Sequence, residues 1–82
     1  MIDGRQVRAA RGLIGWSRDD LISAAGISMS ALMRLESGKA DTRSSTINKV
    51  VQTLSHQGIE FVSRNDGGVG VILNPTAPSE SD

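Results

Sequence analysis

The side chains able to do chemistry in this chain are cations and hydroxyls rather than nucleophiles. Cysteine and tyrosine are absent, His56 is the single histidine, and one Phe and one Trp complete the aromatic set. No disulfide framework or thiolate metal site can be built from such a chain. His56, near the end of a predicted helix, has no second imidazole and no nucleophile close to it in sequence. It suits the C-terminal end of a helix dipole and little else. No catalytic constellation emerges, so neither an enzyme nor a cofactor or metal is expected. The run Gly67-Gly68-Val69-Gly70 superficially resembles a phosphate loop, but it opens no helix and reads as a hairpin turn. What remains is the stretch Trp16–Lys39, WSRDDLISAAGISMSALMRLESGK, where basic and small polar side chains recur among helix signals.

Those side chains must be positioned by two short helices. Ser17 is placed to cap the first, with Asp20 three residues on as a weaker partner than the usual Glu or Gln of a capping box. Trp16 and Leu21 bracket that cap with the spacing of a hydrophobic staple. Gly26 ends the helix, and Ser28 caps a second from Met29 to about Ser37, stopped by Gly38. Leu21, Ala25, Leu32 and Leu35 recur at helical spacing and form one inward face. Two helices joined by so tight a turn make a helix-turn-helix, whose second helix can lie in the major groove of DNA.

The flanking sequence supplies support. A helix opens near Asp3 and runs to about Ile14, with Val7, Ala10 and Leu13 or Ile14 inward; Gly12 weakens its last turn and Gly15 ends it. Residues 38–43 form a polar loop, and Ser44 or Ser45 caps a further helix to Gln57 with Ile47, Val50, Val51 and Leu54 as its apolar stripe. After Gly58 the period changes. IEFVSR and VGVILN are β-branched runs around Asn65-Asp66-Gly67-Gly68, a hairpin with Ile59 and Phe61 on one face of its first strand. Val69, Val71 and Leu73 share a face of the second strand, and Val62 and Ile72 point the opposite way on their own strands. Residues 74–82, NPTAPSESD, read as a disordered tail. The expected fold is mainly α: four to five helices over residues 1–58, then a C-terminal β-hairpin over 59–73.

Charge is balanced overall but unevenly spread. Residues 1–58 hold eight basic groups against five acidic, whereas 59–82 hold Arg64 against Glu60, Asp66, Glu80 and Asp82. A cationic body with an acidic end suits a nucleic-acid face and a separate partner-facing or solvated end. No apolar run approaches the roughly 20 residues of a membrane span, and MIDGRQVRAARG lacks the apolar region of a signal peptide. A cytoplasmic location away from membranes is the expectation.

Residues 5–57 resemble the DNA-binding domain of Cro/cI-type (lambda-repressor-like, XRE family) regulators. The likeness rests on RAARGLIGWSRDDLISAAGIS, then SALMRLESGK and a further apolar helix. The resemblance implies that Arg11 and Glu36 form a structural ion pair tying the first helix to the end of the recognition helix. It implies that Ser28, Met29, Ser30 and Arg34 reach base edges. Arg34 leads this set, because a guanidinium can bond guanine O6 and N7 together. Ser28 either reads a base or serves only as a cap; Met29 departs from the long polar residue common there and either meets a thymine methyl or lies exposed. Arg18, Ser37, Lys39 and Arg43 fit phosphate contacts. Ile22 stands where the family has a small residue, which opens the angle between the motif helices slightly.

The resulting expectation is a sequence-specific, double-stranded-DNA-binding transcriptional regulator, acting as a homodimer on a palindromic operator. A lone two-stranded hairpin is marginal in water. It is therefore the expected dimerisation element, pairing an edge strand and burying Phe61, Val69 or Val71. The alternative is a helix-turn-helix interaction module for a protein partner, as in antitoxin-like or antiactivator-binding proteins.

Overall fold

In the computed structural model, residues 2–38 and 42–75 are described, and they form four helices followed by a two-stranded antiparallel hairpin. Helix α1 spans Gly4–Ile14, with Asp3 as its N-cap and Gly15 in the left-handed conformation closing it. The Asp3 carboxylate accepts from the Arg5 N–H at 2.8 Å, and the Gln6 side-chain oxygen accepts from the Asp3 N–H at 2.8 Å. Helix α2, Arg18–Ala25, starts at a reciprocal cap. The Ser17 hydroxyl accepts from the Asp20 N–H at 3.0 Å, and the Asp20 carboxylate accepts from the Ser17 N–H at 2.9 Å. Gly26, at φ 71°, turns the chain toward Ser28, which caps α3, Met29–Glu36, by accepting from the Ala31 N–H at 3.1 Å.

Helix α4, Ser44–His56, departs from expectation at its start. Arg43 is the N-cap, with no side-chain capping bond, and both serines already lie in the first turn. The extended conformation that a cap requires falls on Arg43 (φ −68°, ψ 143°), so neither Ser44 nor Ser45 can fill that role. At the other end Gln57 is the C-cap rather than the last helical residue. A fifth helix is not found among the described residues.

Strands β1, Ile59–Ser63, and β2, Val69–Leu73, pair with Phe61 opposite Val71 and Ile59 opposite Leu73. Gly67, at φ 93°, makes the turn possible. The hairpin closes beyond the strands, where the Asn74 N–H donates to Gly58 O at 2.8 Å. Asn74 therefore belongs to the hairpin rather than to the tail expected from residue 74; positions 76–82 of that tail lie outside the described residues.

The core joins every helix to the hairpin. Val7 and Ala10 of α1, Leu21 of α2, Leu32 and Leu35 of α3, Val50 and Leu54 of α4 and Ile59 of β1 are buried in one cluster. Trp16, Ile14, Phe61 and Val71 pack partly buried against it, while Leu13 is 48% exposed, so Ile14 is the inward member of that pair. Burying a Leu or Val side chain fully stabilises by about 1.5–3 kcal/mol, which makes this shared cluster the main reason the helices hold their angles. One polar side chain reinforces it. The buried Gln6 amide donates to Val62 O at 3.0 Å and Gly70 O at 2.8 Å, bridging both strands from α1. No helix among the described residues is long and apolar enough to cross a membrane.

Candidate nucleic-acid interface

The orientation of α3 is fixed from behind by a buried carboxylate. Glu36, 4% exposed, accepts from Arg11 Nε at 2.8 Å through Oε2 and from Arg18 Nε at 2.8 Å through Oε1. Its backbone carbonyl also accepts from the Arg8 guanidinium. Three arginines from α1 and α2 thus converge on the last residue of α3. Burial pushes the Glu36 carboxyl up, but the hydrogen bonds and charges of Arg11 and Arg18 outweigh that and hold it below its ordinary value. Close by, Gly4 brings the start of α1 against the end of α3. A Cβ there would lie 2.5 Å from both Leu35 O and Glu36 O.

With Leu32, Leu35 and Glu36 turned inward, α3 exposes Ser30, Met33 and Arg34, and its C-cap Ser37 is exposed in line with them. At 3.6 residues per turn these four occupy an arc of about 100° and form one continuous stripe. Ser30 and Ser37 run along its middle, Arg34 lies on one edge and Met33 on the other. Beyond the Arg34 edge, a cleft of about 340 Å³ is lined by Ala31, Arg34, Thr42, Arg43 and Thr46. The first turn of α4 opens onto this cleft, and a helix start favours anions through its unpaired N–H groups.

The structure therefore brings together some of the residues named from sequence and separates others. Arg11 and Glu36 meet, as described above. Ser30, Arg34 and Ser37 share the exposed stripe, and the Ser37 hydroxyl also donates to Arg34 O at 3.1 Å. Arg43 is exposed beside Arg34 across the cleft. Ser28 is exposed, with its hydroxyl placed as a helix cap, and Met29 is half-buried at the border of the stripe. Arg18, named for phosphate, directs its Nε at Glu36, with its side chain 44% exposed. Lys39 lies outside the described residues. On the hairpin, Phe61 and Val71 pack against the core of their own chain, and Val69 is exposed.

Sequence reasoning missed Met33, Arg8, Gly4 and the Arg18–Glu36 contact. Met33 could have been found by spacing, since it stands three residues after Ser30 and four before Ser37. The others depend on approach between distant segments and carry no local signal.

Among the described residues there is no group of three or more His, Cys, Asp or Glu side chains able to hold a metal ion. A larger recess, about 650 Å³, lies between the start of α1 and the end of α3. Its charged rim is already paired: Arg5 Nη2 lies 2.8 Å from Asp3 Oδ2, and Arg8 donates to the Glu36 carbonyl. The α3 stripe and its neighbouring cleft are the better candidate for an external ligand. The chain matches no protein-family model, and no curated protein matches its sequence.

Proposed function

We propose that this chain is a sequence-specific, double-stranded-DNA-binding transcriptional regulator of the helix-turn-helix type, with α2 and α3 as the motif. One observation carries the reading: the outward stripe of α3 presents hydroxyls and a guanidinium, while the opposite side of the same helix is anchored by Leu32, Leu35 and the buried Glu36. A rigidly held helix with short polar groups outward can enter a major groove and read base edges. In this role Arg34 contacts a guanine, Ser30 a neighbouring base or phosphate, and Arg43 with the start of α4 meets the backbone.

The regulator acts as a homodimer, because one such helix covers only a few base pairs. The hairpin supplies a route. Its closing hydrogen bonds, Gly58 with Asn74 and Arg64 with Gly68, set the phase of the ladder. By the antiparallel alternation, the backbone groups of Val69, Val71 and Leu73 then face the outer side of β2. That strand, VGVIL, carries no charge to discourage edge pairing. Pairing two β2 edges would cover Val69, Ile72 and Leu73, which are 40–46% exposed.

A protein-interaction role draws on a separate observation, the exposed Leu13 and Leu73 around a recess shared with Ile14 and Pro75. Two substitutions test the DNA role. Arg34→Ala is expected to lose about 1–3 kcal/mol of discrimination at one base position. Arg43→Ala is expected to weaken all duplexes alike and to reduce the salt slope by about 1. Parent-like binding by both variants to a selected duplex would show that this face is wrongly assigned. Absence of duplex binding at any salt concentration, with a protein partner co-purifying, would favour the interaction module.

A further inference from the structure

The exposed stripe of α3 contains one residue with no polar function. Met33 is 51% exposed and is the only large apolar side chain so exposed on the helix. Its neighbours on the stripe are Ser30, Arg34 and Ser37, and the apolar neighbour beside it, Met29 one turn earlier, is half-buried, so the pair makes no extended apolar patch. Protein interfaces concentrate their affinity in clusters of packed anchors, and one exposed thioether beside a half-buried one, flanked by hydroxyls and a guanidinium, does not supply such a cluster. A major groove presents donors, acceptors and a single kind of apolar group, the thymine 5-methyl. A stripe of Ser, Arg and Ser with one Met at its edge has the matching composition.

We propose that Met33 is a base-specificity residue that packs on the 5-methyl group of a thymine. This rests on the DNA-binding role proposed above and adds to it a thymine preference. Charge supports the same occupant, since Arg34 adjoins Met33 in sequence and Arg43 lies across the cleft, both exposed cations suited to a polyanion. Met33 and Arg34 are offset by about 100° around the helix and 1.5 Å along it. They therefore leave the helix from opposite edges of the stripe. Methionine fits the task because its unbranched, polarizable side chain adapts to an irregular apolar contact. Met29, half-buried one turn earlier, backs the same edge.

The test replaces thymine by uracil, one position at a time, in a duplex enriched by the purified chain from a random pool. Uracil keeps the base pair and removes only the methyl group. The parent chain is expected to bind about fourfold more weakly when one particular thymine in each half-site is replaced, the effect of returning a single methyl to water. Met33→Ala should show no penalty for uracil at that position, and Met33→Leu should retain it. An unchanged uracil penalty in Met33→Ala, or no penalty at any thymine in the parent, overturns the proposal while leaving DNA binding intact. Loss of a co-purifying protein from Met33→Ala, with unchanged duplex affinity and unchanged uracil response, overturns it in favour of a protein contact. Failure of the parent to enrich any duplex overturns the DNA role and this proposal together.

Discussion

Glu36→Ala is expected to lower the unfolding free energy by about 3–5 kcal/mol, because it breaks a buried charge network by removing its central partner. Arg11 is the side chain left in difficulty. Its guanidinium is only 16% exposed and donates to Glu36 from Nε and Nη2, at 2.8 and 3.4 Å. Arg18, 44% exposed, can turn toward water and suffers less. Small domains have total stabilities of about 5–15 kcal/mol, so the loss is a large share of the whole. A thermal melt followed by circular dichroism should show it. At about 4–8 °C per kcal/mol for a domain of this size, the midpoint should fall by more than ten degrees. A fall of only a degree or two would mean that the pair is effectively solvated.

The same carboxylate gives a pH signature. Its native pKa lies below the ordinary value of 4.5, so the unfolded chain takes up this proton first as the pH falls. The stability contributed by ionised Glu36 is complete above 4.5 and is lost as pH drops through the lowered native value. Glu36→Gln should therefore be less stable than the parent near neutrality and show a shallower acid limb.

The second large effect is expected from Gly4→Ala. On helix propensity alone this change should help, by about 1 kcal/mol. At this position the added Cβ would stand 2.5 Å from two carbonyl oxygens and 2.7 Å from a carbonyl carbon, all of them backbone of α3. Backbone cannot yield as a flexible side chain can, so α1 and α3 must separate. Separation weakens the contacts of Arg8 and Arg11 with Glu36. The expected result is a net loss of about 3 kcal/mol, at the upper end for overpacking. Gly12→Ala, on the exposed side of the same helix with nothing within 4 Å, is the internal control. It should stabilise by about 0.5–1 kcal/mol. Opposite signs for one substitution at two positions of one helix would locate the close approach at Gly4. Stabilisation by both would refute it.

Legibility in the sequence followed the range of each interaction. The caps at Ser17 and Ser28 were readable because cap and recipient stand three residues apart. The α2–α3 pair and the hairpin turn were readable for the same reason. At α4 two adjacent serines drew attention to themselves, yet the chain enters that helix one residue earlier, at Arg43. Gln6 shows both limits at once. Its capping-box half is local and could have been read from Asp3 and Gln6, whereas its bonds to Val62 and Gly70 join residues 56 and 64 positions away. Arg18 was legible as a cation near the start of a helix, but its contact with a carboxylate 18 residues on depends on how two helices pack. On the hairpin, alternation correctly grouped Ile59 with Phe61, and Val69 with Val71 and Leu73. It could not say that Phe61 and Val71 would be used by the core of their own chain.

In the proposed role, the outward face of α3 reads duplex DNA as one half of a symmetric pair. Selection from a random duplex pool by the purified full chain, at two salt concentrations, tests it most directly. The expected outcome is an enriched palindrome with half-site centres about 34–36 Å apart, one helical turn or a multiple of it, and an affinity that falls steeply as salt rises. A pool that stays random after repeated rounds, with weak retention indifferent to salt, would contradict it.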